Sequence, residues 1–73
     1  MQTVLPFSVF ADAAGRIVAI KVGELHRDEA DYILGAMRAL ASGRLSLAEA
    51  HAGITQRLRE LAIERARAAA KDS

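Results

Sequence analysis

Phe7-Ser8-Val9-Phe10-Ala11-Asp12-Ala13-Ala14-Gly15-Arg16-Ile17-Val18-Ala19-Ile20-Lys21-Val22 decides the fold class of this chain. It holds two short runs of β-favouring residues, 7–12 and 16–22, parted by Ala13-Ala14-Gly15. Two such runs joined by a few residues that include glycine predict an antiparallel hairpin, with Gly15 taking the positive-φ position of the turn. Neither run alternates cleanly between apolar and polar. Val9 and Phe10 are adjacent, as are Ile17, Val18, Ala19 and Ile20. Unbroken apolar runs belong to strands covered on both faces, so the hairpin is expected to be sandwiched.

Downstream the apolar residues recur at helical spacing. Gly23 ends the second strand, and a helix is predicted from His26 or Arg27 to a stop at Gly43. Asp28 and Glu29 fall in its first turn, where carboxylates suit the helix dipole. Ala30, Ile33, Leu34, Met37, Leu40 and Ala41 form its apolar face. Ser46-Leu47-Ala48-Glu49 reads as a capping box opening a second helix over 46–70. Leu47, Ile54, Leu58 and Leu61 share one side of it, spaced with His51 like two heptads of a coiled-coil seam. The expected architecture is α+β, ordered β-β-α-α, in a single domain over 1–73: hairpin region 1–25, helix 26–43 and helix 46–70.

Composition excludes much. The chain has 73 residues, no cysteine, ten basic against nine acidic residues and a formal charge of +1. Without cysteine there is no disulfide framework, thiolate zinc site or redox pair. The near-neutral balance argues against a nucleic-acid module, and Arg57, Arg59, Arg65 and Arg67 scatter around the second helix among Glu49, Glu60 and Glu64. No apolar run approaches the ~18 residues of a membrane span, and the N-terminus reads as no signal peptide. His26-Arg27-Asp28-Glu29-Ala30-Asp31 concentrates possible metal ligands, but consecutive residues at a helix start point in different directions, so a solvated helix N-terminus is the better reading. No serine has a neighbouring base, and the five glycines do not cluster into a phosphate loop. The expectation is therefore no catalytic residues, no metal and no cofactor. Pro6 precedes the first strand, either as a simple strand start or as a cis-proline.

The stretch Val4-Leu5-Pro6 through Val18, followed by Lys21-Val22-Gly23-Glu24-Leu25, resembles the C-terminal half of the thioredoxin fold, most closely the bacterial TlpA-type thiol–disulfide reductases. The shared features come in order: an apolar-Pro pair before an apolar strand, an Asp-x-x-Gly turn, and a Val-Gly-x-Leu corner into the closing helix. The resemblance covers residues 3–41. It implies a partial thioredoxin-like β-β-α unit followed by a second C-terminal helix. It further implies that Leu5, Pro6 and Gly23 border a substrate groove, with Pro6 at the family's cis-proline position. The family's Cys-x-x-Cys motif and first βαβ half are absent from this sequence, and thiol chemistry needs a thiolate. The implied function is a non-catalytic fragment or remnant of a TlpA-like protein. The alternative is a small protein–protein interaction module that self-associates through its hairpin edge and C-terminal helix. The family usually works in the periplasm, whereas no export signal is read here, so the compartment stays open.

The Leu5–Pro6 bond is expected to be trans or mixed, because the structure that holds it cis in the family is missing from this sequence. A homodimer is expected, with Phe7, Val9 and Phe10 on an open strand edge and Leu47, Ile54, Leu58 and Leu61 as further interface candidates. In the competing arrangement the second helix folds over the open sheet face and closes a monomer.

Overall fold

A computed structural model describes residues 5–71 of the chain. Strand β1 (Phe7–Ala11) and strand β2 (Ile17–Val22) form an antiparallel hairpin, followed by helices α1 (Arg27–Ala41) and α2 (Leu47–Lys71). The fold is α+β in the order β-β-α-α.

The turn forms where the sequence places it. Asp12 Oδ1 accepts from the backbone N–H groups of Ala14 (3.0 Å) and Arg16 (2.8 Å), and Gly15 sits at φ 81°. The arrangement is a tight turn closed by a left-handed residue, which glycine adopts at no steric cost. The Arg16 side chain returns to Asp12 Oδ2 at 2.8 Å. Hydrogen bonds from the Arg16 and Ala14 backbone, with the Arg16 guanidinium, hold the Asp12 carboxyl below its ordinary pKa.

The helix boundaries follow their caps. His26 is the N-cap of α1, and its backbone N–H donates to Glu29 Oε1 at 2.9 Å. The C-terminus closes with Gly43 at φ 80°, where the Arg44 N–H reaches the Ala39 carbonyl (2.8 Å) and the Gly43 N–H reaches that of Leu40 (3.1 Å). These two bonds are the Schellman pattern. At α2 the capping box forms in both directions: the Glu49 N–H donates to Ser46 Oγ at 3.1 Å, and the Ser46 N–H to Glu49 Oε1 at 2.8 Å.

Both helices pack on one face of the hairpin. The core joins Val18 and Ala19 of β2, Ile33 and Ala36 of α1, and Ala50 and Ile54 of α2, with Phe10, Leu25, Met37, Leu40, Leu45, Leu47 and Leu58 packed around it. The apolar stripe of α1 is narrower than its spacing predicts. Ile33 and Ala36 are buried, while Leu34 stays exposed. The α2 backbone approaches β2 more closely than α1 does. Where α1 and α2 meet, the Tyr32 hydroxyl lies 3.3 Å from the place a Cβ on Gly53 would occupy.

Helix α1 is anchored to the sheet by charge. Glu29 is 1% exposed and accepts from Lys21 Nζ at 2.9 Å. Burial pushes the Glu29 pKa up, but the His26 N–H and the Lys21 ammonium outweigh it and hold the carboxyl below its ordinary value. A second strap joins Arg65 of α2 to Asp28 of α1 at 3.2 Å.

A depressed carboxyl pKa stabilises the fold above the unfolded glutamate range, and that contribution is lost as pH falls through the lowered folded value. We expect Glu29→Gln to cost about 2 kcal/mol at neutral pH, the worth of hydrogen bonds to a charged group. Urea titrations between pH 7 and 3 check this. The variant's stability should fall less steeply with acid than that of the parent chain.

Candidate interaction surface

The site grows out of one irregularity in the hairpin. The pairs Phe7–Val22, Ser8–Lys21, Val9–Ile20 and Phe10–Ala19 are in register, but Ala11 pairs with Ile17, leaving Val18 as an extra residue on β2. A bulge of this kind puts two consecutive residues of the bulged strand against one on its partner. Val18 and Ala19 are therefore both buried, while Ile17 on one side and Ile20 on the other point outward. The His51 ring secures the bulge. Its Nδ1 lies 2.8 Å from the Val18 carbonyl oxygen, which can only accept, so Nδ1 carries the proton.

Beyond the bulge the strands alternate, and the outward positions are Phe7, Val9 and Ala11 on β1 with Ile17, Ile20 and Val22 on β2. Together with Leu5 these form a continuous apolar face. Exposure of its large side chains runs from 48% at Val9 to 67% at Phe7. None of the outward positions is charged. The expectation of a sandwiched hairpin is thus met on one side only. The unbroken apolar run of β2 arises partly from the bulge, which shifts the alternation by one residue.

The outer edge of β1 is unpaired among the described residues, since the sheet has two strands. The Gly23 N–H donates to the Pro6 carbonyl at 2.8 Å, and the Asp12 N–H to that of Arg16 at 2.9 Å. Even-numbered residues of β1 thus turn their backbone groups toward β2. By the alternation of an antiparallel ladder, Phe7, Val9 and Ala11 turn theirs to the free edge.

The expected interface residues divide accordingly. Phe7 and Val9 lie on the exposed face and at the open edge. Phe10 does not: its backbone groups face β2 and its side chain packs on the core. The four candidates on α2 also turn inward. Ile54 and Leu61 are buried and Leu47 and Leu58 half-buried, so they serve the chain's own core. Nor does α2 close the second sheet face, because it shares the inner face with α1. Ile17, Ile20 and Val22, half of the exposed face, escaped the sequence reading. The four-residue apolar run 17–20 was the available sign of a bulge.

The residues that the family resemblance marks as groove-forming come together at the open end of the hairpin. Leu5 and Pro6 are exposed and Gly23 is half-buried, at φ 95°. The Leu5–Pro6 bond is trans. Elsewhere, a hollow of about 410 Å³ lies between the turn and the end of α1, lined by Asp12, Arg16, Met37 and Leu40 among others. Its only charges, Asp12 and Arg16, neutralise each other across their salt bridge. No cluster of three His, Asp or Glu side chains suited to a metal ion occurs among the described residues. Among the described residues no helix is long and apolar enough to cross a membrane. No protein family, curated protein or solved structure gives a match to this chain.

Replacing His51 by alanine leaves the Val18 carbonyl without its side-chain donor at a place where the ladder is already broken. We expect a loss of about 1 kcal/mol in urea unfolding, the net worth of one hydrogen bond. Faster amide exchange should be concentrated at residues 17–20.

Proposed function

We propose that this chain is a non-catalytic docking unit of the thioredoxin-like, TlpA type, whose work is to present one face of its sheet to a further protein layer. The observation that carries the reading is the outer hairpin face of Leu5, Phe7, Val9, Ile17, Ile20 and Val22, apolar and open to solvent. Contiguous exposed apolar patches of this kind mark interaction sites. The order of an apolar-Pro pair, a strand, an Asp-x-x-Gly turn, a second strand, a glycine corner and a closing helix supports the thioredoxin-like part. So does the gathering of Leu5, Pro6 and Gly23 at one end of the hairpin. Thiol–disulfide exchange does not belong to this reading, because the sequence contains no cysteine to supply a thiolate.

Self-association is the second reading, and the row of outward backbone groups at Phe7, Val9 and Ala11 favours it, since an open strand edge is a template for pairing.

Fragment complementation tests the first reading. The probe is the separately expressed Cys-x-x-Cys-bearing half of a TlpA-type reductase, ending before its cis-proline. Mixing should give one co-eluting species with a single cooperative melt, and Ile20→Lys should abolish it. Independent elution and unchanged melting would count against the TlpA-type assignment. Alone, this chain should reduce insulin disulfides with dithiothreitol no faster than buffer does.

A further inference from the structure

We infer that a second copy of this chain covers the outer sheet face, giving a twofold-symmetric dimer in which the two hairpins pack face to face. The inference rests on the reading of that face as a docking surface and names its occupant.

Area is the first argument. A compact monomer of 7.8 kDa exposes about 4,400 Å² by the usual size scaling, whereas this chain exposes 5519 Å². The surplus, roughly 1,100 Å², exceeds the ~800 Å² that each partner of a standard interface buries. Part of it belongs to the C-terminal half of α2, but there the one large exposed hydrophobe is Ile63. Tyr32 and Leu34 are exposed on α1, and the other six, Leu5, Phe7, Val9, Ile17, Ile20 and Val22, gather on the hairpin, so most of the exposed apolar surface lies there.

Charge is the second. The outward positions of both strands are Phe7, Val9, Ala11, Ile17, Ile20 and Val22. A copy laid on a copy therefore brings no like charges together and desolvates no ion. A twofold contact needs a surface complementary to itself. A flat apolar sheet face meets that need by interdigitating side chains about 10 Å from sheet to sheet.

Geometry is the third. Pairing β1 edge to edge would satisfy the groups at Phe7, Val9 and Ala11 but would join two exposed apolar faces into one larger face. Stacking the faces removes the apolar surface from water and leaves only backbone edges, which water can serve. Neither α2 nor the Leu47–Leu61 stripe takes part, because that stripe is consumed in the core.

Sedimentation equilibrium of the whole chain, from one to a hundred times the lowest micromolar loading, tests the inference. The expected mass at tens of micromolar is two chains. Ile20→Lys points away from the core, so it should raise the dissociation constant by on the order of 100-fold while leaving the circular dichroism unchanged. Amide exchange at Phe7, Val9 and Ala11 should stay fast in the dimer. Protection there would overturn face packing in favour of edge pairing. A one-chain mass at every loading, with anilinonaphthalene sulfonate binding that Ile20→Lys removes, would overturn the second copy and leave the docking surface standing. A one-chain mass without dye binding would overturn both.

Discussion

The bulge at Val18 is the constraint on which the rest of the structure depends. A regular strand would send Val18 and Ala19 to opposite faces, and the hairpin would offer the helices only alternate small contacts. With both turned inward, β2 presents a two-residue apolar step against which Ile33 of α1 and Ile54 of α2 close. The same step returns Ile17 and Ile20 to the outside, one on each side of it. One irregularity thus builds the core and also concentrates the apolar surface on the far face. His51 is the one side chain joining α2 to the bulge by a hydrogen bond among the described residues, so the position of α2 and the shape of β2 are fixed together.

Polar contacts then decide where α1 lies. Helix α1 touches the sheet backbone little; beside the core contact of Ile33, its tie to the sheet is Glu29, which binds the Lys21 ammonium of β2 while accepting from its own cap at the His26 N–H. A buried carboxylate is costly unless fully satisfied, and this one has a charged and a neutral donor. The exposed Asp28–Arg65 pair ties the same helix end to α2 and is worth less, being open to solvent.

Much of this was legible in the residues. Asp12, Gly15 and Gly43 announce a turn and a helix stop through their local chemistry, and Ser46 with Glu49 announces a cap, so element order and boundaries followed. The direction of the strand faces did not. An unbroken apolar run has two explanations, burial on both faces or a bulge that resets the alternation, and local pattern cannot separate them. For that reason the pattern places Phe10 at the open edge and does not mark Ile17, Ile20 and Val22 as outward. The apolar stripe of α2 was visible at Leu47, Ile54, Leu58 and Leu61, but whether it faces the chain or a partner depends on where α2 returns, a long-range property. Lys21–Glu29 and His51–Val18 were hidden because their members come from different elements.

A two-stranded hairpin is marginal in water, and covering one of its faces removes only part of the difficulty. Domains reach stability by stacking layers so that no apolar face is left in solvent. This chain builds two layers, a helix pair and a sheet, and the sheet is apolar on both sides. The inner side holds a small buried centre of Val18, Ala19, Ile33, Ala36, Ala50 and Ile54, with Phe10, Met37 and leucines of both helices packed around it. The outer side carries bulky residues as well: Phe7, Ile17, Ile20 and Val22. A sequence shaped only for a two-layer monomer would place threonine, lysine or glutamate at those outward positions, since β-propensity is served by threonine as well as by isoleucine. That large hydrophobes also stand on the side away from the helices is the reason to read the hairpin as the middle of a three-layer arrangement, with the third layer contributed from outside this chain's own fold.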